Sequence, residues 1–154
     1  MPVRVQGNPA AYRFAKPKLD GEYDFSFSGI KTAVLREVQR IATPRADGKL
    51  PPGVPVADFA ASFQAAVVDQ LCDKTVKAAE ATGATAILMG GGVSANKALR
   101  TAMKTRAHVP VYWPPLWLCT DNAAMIGAAA FLRFQAGQRT GWDLDVEPGL
   151  RLED

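Results

Sequence analysis

Three consecutive glycines, Gly90-Gly91-Gly92, lead into Val93-Ser94-Ala95-Asn96, between an apolar run at residues 85–89 and a helical pattern at residues 97–103. A strand that ends in glycines and opens into a helix builds an anion site. Glycine admits positive φ and lets backbone N–H groups approach a phosphate, while the helix N-terminus adds free donors and a positive dipole end. Ser94 is expected to cap that helix. Asn96 offers both an acceptor and donors to a nucleotide sugar or an acyl group. The competing reading is a tight turn between strand and helix whose glycines only relieve crowding, since short glycine motifs often occur without a ligand.

The elements that must position this loop follow from pattern and punctuation. Residues 1–22 read as a connector, because Gly7-Asn8-Pro9, Lys16-Pro17-Lys18 and Asp20-Gly21 are breaker signals with little periodicity. Residues 23–28, Tyr-Asp-Phe-Ser-Phe-Ser, alternate aromatic and polar and predict a half-buried strand. Gly29 breaks it, and Ile30, Val34, Val38 and Ile41 are spaced as one helix face. Prolines at 44, 51, 52 and 55 mark a loop. A long helix over residues 57–82 follows, with Phe59, Phe63, Val67 and Leu71 recurring every four residues and Gly83 ending it.

Beyond the glycine loop, residues 109–113 predict a second buried strand, stopped by Pro114-Pro115. A helix over residues 123–135 is expected to be capped by Thr120 or Asp121 and to bury Met125 and Ile126. Its small face, Ala124, Gly127, Ala128 and Phe131, suits close packing on a sheet or another helix. Residues 140–154 read as an extended tail. The alternation of strands and helices predicts an α/β fold. Two parallel-type strands and one alternating strand are few for a doubly wound sheet, where about five to six are usual. The sheet is therefore expected to be incomplete, and unpaired edges favour self-association.

Composition narrows the function classes. The chain has 154 residues, 48% of them hydrophobic, enough for one soluble domain with a core. Its longest uncharged apolar stretch, near residues 123–132, is too short to span a bilayer, and no signal peptide is evident, so no membrane is expected. Two cysteines in unrelated contexts, Cys72 and Cys119, point to a reduced, cytoplasmic protein. A net charge of +3 with pI about 9.0 permits nucleic-acid contact without demanding it.

Three motifs stand in register: residues 24–32 (Asp-Phe-Ser-Phe-Ser-Gly-Ile-Lys-Thr), the glycine loop continuing to Leu99-Arg100, and residues 119–126 (Cys-Thr-Asp-Asn-Ala-Ala-Met-Ile). Together they resemble the C-terminal part of the TsaD family (older names Gcp and O-sialoglycoprotein endopeptidase), over residues 8–137. The resemblance implies an actin-like ATPase fold of the sugar kinase, Hsp70 and actin superfamily, with residues 23–139 forming a segment of its C-terminal lobe. It implies transfer of a threonylcarbamoyl group from threonylcarbamoyl-adenylate to N6 of the tRNA adenosine 3′ to the anticodon, within a t6A synthesis complex of several subunits. Gly90, Gly91, Gly92, Ser94 and Asn96 would then meet the adenine nucleotide, and Asp121 would be a ligand of an iron or zinc ion. A carboxylate at a helix N-terminus stays ionised, as a metal ligand must; an ordinary N-cap is the alternative for Asp121.

Other residues carry two readings each. Ser28 and Lys31 suit contact with phosphate or RNA, or a solvated helix start. Lys97, Arg100, Lys104 and Arg106 form a basic stripe for tRNA phosphates, or a solvated face. His108, the one histidine, lies outside every family motif. Family members carry a paired-histidine metal motif and a glycine-rich phosphate loop ahead of the position of Asn8, and this sequence has neither. The chain by itself is thus expected to be inactive. It is either a segment working with a missing N-terminal part or a non-catalytic module that binds partners. A small-molecule kinase would need a catalytic carboxylate loop, and a protease would need a nucleophile–His pair or a zinc motif.

Overall fold

The computed structural model describes residues 7–15, 19–41 and 53–146. Lys16-Pro17-Lys18, most of the proline-rich loop and the tail beyond residue 146 lie outside them. The spine is a 27-residue helix, Val56–Thr82, which begins after Pro55 and ends at Gly83 in the left-handed conformation (φ 63°). Gly83 accordingly acts as the stop signal read from the sequence. A shorter helix, Ser28–Ile41, lies against the spine through its buried Ile30. We label these α2 and α1.

Residues 23–28 do not form a strand. Residues 24–26 have no regular secondary structure and pair with no strand among the described residues, and α1 already starts at Ser28. Alternation alone cannot make a strand when no second edge is present to take its backbone groups. Side chains of α2 take them instead: Lys74 donates to the Glu22 carbonyl, and Gln70 Nε2 to the Ser26 carbonyl at 3.3 Å. Phe25 and Phe27 stack on each other with ring centres 6.4 Å apart. The stretch around Asn8–Phe14 also lies on α2, where Tyr12 stacks on Phe59 at 4.0 Å and donates its N–H to Ser62 Oγ.

The sheet is a parallel pair, β1 (Ile87–Leu88) and β2 (Val111–Tyr112), with Ile87 opposite Val111 and Leu88 opposite Tyr112. The helix Lys97–Arg106, α3, forms the crossover between them. The pairing falls where the apolar runs predicted it. Both runs were expected to be buried strands, but only one face is covered: Ile87 is buried, whereas Leu88 is 80% and Tyr112 59% exposed. The core lies where α2, α3 and that covered face meet, in a cluster of Val68, Cys72, Ile87, Leu99 and Met103. Phe63, Val67 and Leu71 are only half-buried.

The helix Ala123–Gln135, α4, occupies its expected span but not its expected environment. No residue in it is buried; Met125 is 53% and Ile126 67% exposed. The α2–α3 layer packs on one face of the sheet, and α4 covers neither that layer nor the exposed face that carries Leu88 and Tyr112. The small face around Gly127 meets open space. Among the described residues the architecture is thus α/β with one short parallel sheet, and no described helix is long and apolar enough to cross a membrane.

Candidate functional site

The glycine loop leaves the C-terminal end of β1, the edge of a parallel sheet where ligands gather. Only Gly91 has a conformational need for glycine, with φ 76°. Gly90 and Gly92 lack positive φ, and a Cβ added at either would meet nothing within 4 Å. The fold's own sterics therefore do not require glycine at these two exposed positions. Crowding against the rest of the fold does not account for glycine at these two positions.

Residues Gly92–Ala95 form a single 3-10 turn. Ser94 sits inside it, buried, and its hydroxyl donates to the Gly91 carbonyl at 2.7 Å. It does not cap α3, as the sequence suggested. Asn96 does, because it is the first residue with extended backbone before the helix, and its Oδ1 accepts the Leu99 N–H at 3.0 Å. The other end of the same amide, Nδ2, donates to Gln64 Oε1 at 3.0 Å. One N–H and one lone pair of Asn96 are left for a ligand.

Two clefts flank the loop. One of about 200 Å³ is lined by Leu88, Met89, Gly90, Val93 and Ser94 among others. The second, about 290 Å³, is more apolar and runs along Phe63, Gln64, Val67, Val93 and Asn96. A larger cleft of about 430 Å³ involves Gly7, Gln64, Asp69 and Arg106 and does not include the glycine loop.

Neither Thr120 nor Asp121 caps α4. Asn122 does, accepting the Met125 N–H on Oδ1 at 3.0 Å while Nδ2 donates to the Thr120 carbonyl. Being one residue closer to the helix, it reaches the free donors first. Asp121 is exposed and makes no hydrogen bond among the described residues. No three His, Cys, Asp or Glu side chains gather into a metal-binding group among the described residues. One carboxylate does not hold a transition metal, so Asp121 alone does not fit a complete site.

The basic stripe divides in the structure. Lys97 and Lys104 are exposed. Arg106 instead bridges to Asp69 and, at 3.2 Å, to Asp73 on α2, and the hydrogen bond it donates to the Asp69 carboxylate raises its already high pKa. Arg100 turns inward: Nε donates to the Ser94 carbonyl at 2.5 Å, and Nη2 to the Pro114 carbonyl at 3.1 Å and Cys119 Sγ at 3.2 Å. Its guanidinium lies 5.4 Å from the centre of the Trp113 ring. The sequence offered Arg100 only as part of a basic stripe facing tRNA phosphates or solvent, not as an inward-facing residue, and did not single out Gln64. The one available signal was that each directly adjoins an apolar-face position, Leu99 and Phe63. Ser28 Oγ lies 2.9 Å from Ser26 Oγ, Lys31 is exposed, and His108 is exposed with Nε2 3.5 Å from Glu80 Oε1.

Comparison with known proteins agrees with this layout of motifs. The family model for TsaD, tRNA N6-adenosine threonylcarbamoyltransferase, matches residues 2–128. A tRNA N6-adenosine threonylcarbamoyltransferase of Thermomicrobium roseum is 47% identical over 160 residues, covering 96% of this chain and 44% of the relative. Its counterpart from Symbiobacterium thermophilum is 47% identical over 149 residues, covering 95% of this chain and 42% of the relative. A third, from Halalkalibacterium halodurans, is 47% identical over 135 residues, with 86% and 38% covered. The chain thus spans less than half the length of the curated relatives it matches. With a family match running through the strand, the glycine loop and the start of α4, this chain belongs to the TsaD family.

Proposed function

We propose that this chain is a C-terminal segment of a tRNA N6-adenosine threonylcarbamoyltransferase, part of an actin-like ATPase fold. In this reading the glycine loop holds the nucleotide portion of threonylcarbamoyl-adenylate, or an adenine nucleotide in its place. The observation that carries it is the open space around Gly90 and Gly92, which leaves the backbone at a strand end accessible to close approach by an anion. Asn96 is already oriented by Leu99 and Gln64, and directs its remaining donor and acceptor at the same ligand.

Asp121 is proposed as one ligand of an iron or zinc ion whose other donors come from outside the described residues. A metal held there would act as a Lewis acid beside the acyl group. The described residues do not complete that site, so no metal-dependent step is assigned to them. The proposed partners are tRNA, the adenylate substrate and the other subunits of a t6A synthesis complex, in the cytoplasm. An apolar helix face also favours a second reading, a self-associating module without catalysis of its own. Met125, Ile126, Phe131, Leu132 and Phe134 of α4 are all more than half exposed.

The test is threonylcarbamoyl transfer to tRNA supplied with threonylcarbamoyl-adenylate. The chain alone is expected to give no modified adenosine. Addition of the N-terminal part of the Thermomicrobium relative should restore transfer, which Asp121→Ala then abolishes and Asn96→Ala weakens. Robust transfer by the chain alone, or rescue indifferent to Asp121→Ala, would overturn the assignment.

A further inference from the structure

Arg100 occupies a position that the family's function does not by itself explain. A planar guanidinium offers five N–H donors in a rigid fork, and here the fork spans two loops far apart in sequence. Its Nε bonds the Ser94 carbonyl in the 3-10 turn of the glycine loop. From the same side chain, Nη2 bonds the Pro114 carbonyl and Cys119 Sγ in the loop that leads to Asp121. Ser94 closes the junction, since its Oγ lies 3.4 Å from the same sulfur. Cys119 is only 2% exposed and Ser94 2%, so the sulfur and hydroxyl at the centre of this knot are shielded from water while Arg100 is half-buried. The Sγ also lies 3.5 Å from the Pro115 carbonyl, within reach of its S–H.

We propose that Arg100 is a positioning residue that locks the Gly90–Asn96 loop to the 114–119 loop, so that the nucleotide loop and the Asp121 segment move as one unit. The proposal rests on the functional reading above for what the two loops hold, but the mechanical link stands on the hydrogen bonds alone. Lysine cannot replace the fork: a point charge with one nitrogen cannot reach Ser94 and Pro114 together, nor stack its plane on Trp113. A ligand that orders the glycine loop should accordingly order the second loop through Arg100, without touching it.

Amide hydrogen exchange on the 154-residue chain tests this, with ADP as the probe ligand. Arg100→Lys is expected to raise exchange about tenfold at residues 90–96 and 116–122 together, with Ile87 and Met103 unchanged. Cys119→Ala, which removes only the sulfur contacts, should give the same pattern at smaller amplitude and serves if Arg100→Lys does not fold. In the wild type, millimolar ADP should protect both segments; in Arg100→Lys it should protect residues 90–96 only. Acceleration confined to one loop, or spread evenly over the whole chain, would overturn the lock. Absence of any ADP protection in the wild type would instead count against the nucleotide reading, while the paired acceleration still decides the lock.

Discussion

The Asn96 amide is held at both ends, with Oδ1 accepting the Leu99 N–H and Nδ2 donating to Gln64 Oε1, each at 3.0 Å. A residue that caps α3 and ties it to α2 leaves a measurable trace in stability as well as in binding. Asn96→Ala should cost ~1 kcal/mol, as losing a cap usually does. Gln64→Ala should cost less, ~0.5 kcal/mol, because it removes one part-exposed hydrogen bond. Urea unfolding of both variants measures the difference. Equal and negligible effects would mean that the amide is not held as described.

Gly90 and Gly92 separate folding from binding. Neither position has a positive φ or a neighbour within 4 Å of an added Cβ. Alanine at either should therefore leave stability within ~0.5 kcal/mol, as surface changes do. Gly91→Ala should lose ~1 kcal/mol or more, because φ 76° strains any side chain. All three substitutions should weaken ADP binding, read by titration calorimetry. Full affinity in Gly90→Ala and Gly92→Ala would remove the case for close ligand approach.

Asp121 and Asn122 should divide the labour in the same way. Asn122→Ala removes the cap of α4 and should lower helicity by circular dichroism, at a cost of ~1 kcal/mol. Asp121→Ala should leave that signal unchanged. In the rescued transfer assay the order reverses, with Asp121→Ala the more damaging. A loss of helicity in Asp121→Ala would restore its reading as a structural residue.

Stability at high pH should follow Cys72. Burial, the largest influence, pushes its thiol above the ordinary value of 9.0, with Arg106 opposing and Asp69 and Asp73 adding to the shift. A raised folded pKa means that the native state keeps a proton the unfolded chain has lost. Its contribution to stability is full below pH 9.0 and declines as pH rises through the folded value. Thermal melts from pH 7 to 11 should show this decline. Cys72→Ala, less stable at pH 7 because it leaves a cavity, should show a shallower one. Parallel curves would place the alkaline transition elsewhere.

The exposed face of α4 should drive association of copies of this chain. Ile126 and Phe131, 67% and 58% exposed, are the anchors to test. Sedimentation velocity should show concentration-dependent dimers or larger species, and Ile126→Lys with Phe131→Lys should shift them to monomer. A monomer at every concentration in the wild type would rule this out.

How much of this was legible in the sequence depends on whether the signal was local. The strand–glycine–helix order, the end of α2 at Gly83 and the span of α4 depend on backbone conformations set within a few residues, and all are present. The parallel pairing of the runs at residues 85–89 and 109–113 also followed, because two apolar runs flanking a helix admit few other arrangements; their register, Ile87 with Val111, did not. Cap identity did not. Ser94, Asn96, Thr120, Asp121 and Asn122 all carry suitable oxygens, and the choice among them turns on which residue is first to leave helical geometry. The strand at residues 23–28 failed because alternation reports a two-faced surface, not a partner. Arg100 failed for a related reason: a charge one residue from Leu99 sits at the border of the helix's apolar face, where solvent and interior both lie within the reach of a long side chain.

The parallel β1–β2 pair has a consequence for how the chain acquires its shape. Two residue pairs are too few to hold strands together alone, and they meet only after α3 has crossed from one to the other. Docking of Leu99 and Met103 on Val68 and Cys72 is therefore expected to come early, with the strand pairing following as a late event. The glycine loop sits at the pivot of that crossover. Its geometry is set near the end of folding, by the strand pairing that follows the docking, so a chain caught before this step would have its helices in place and the glycine loop unformed.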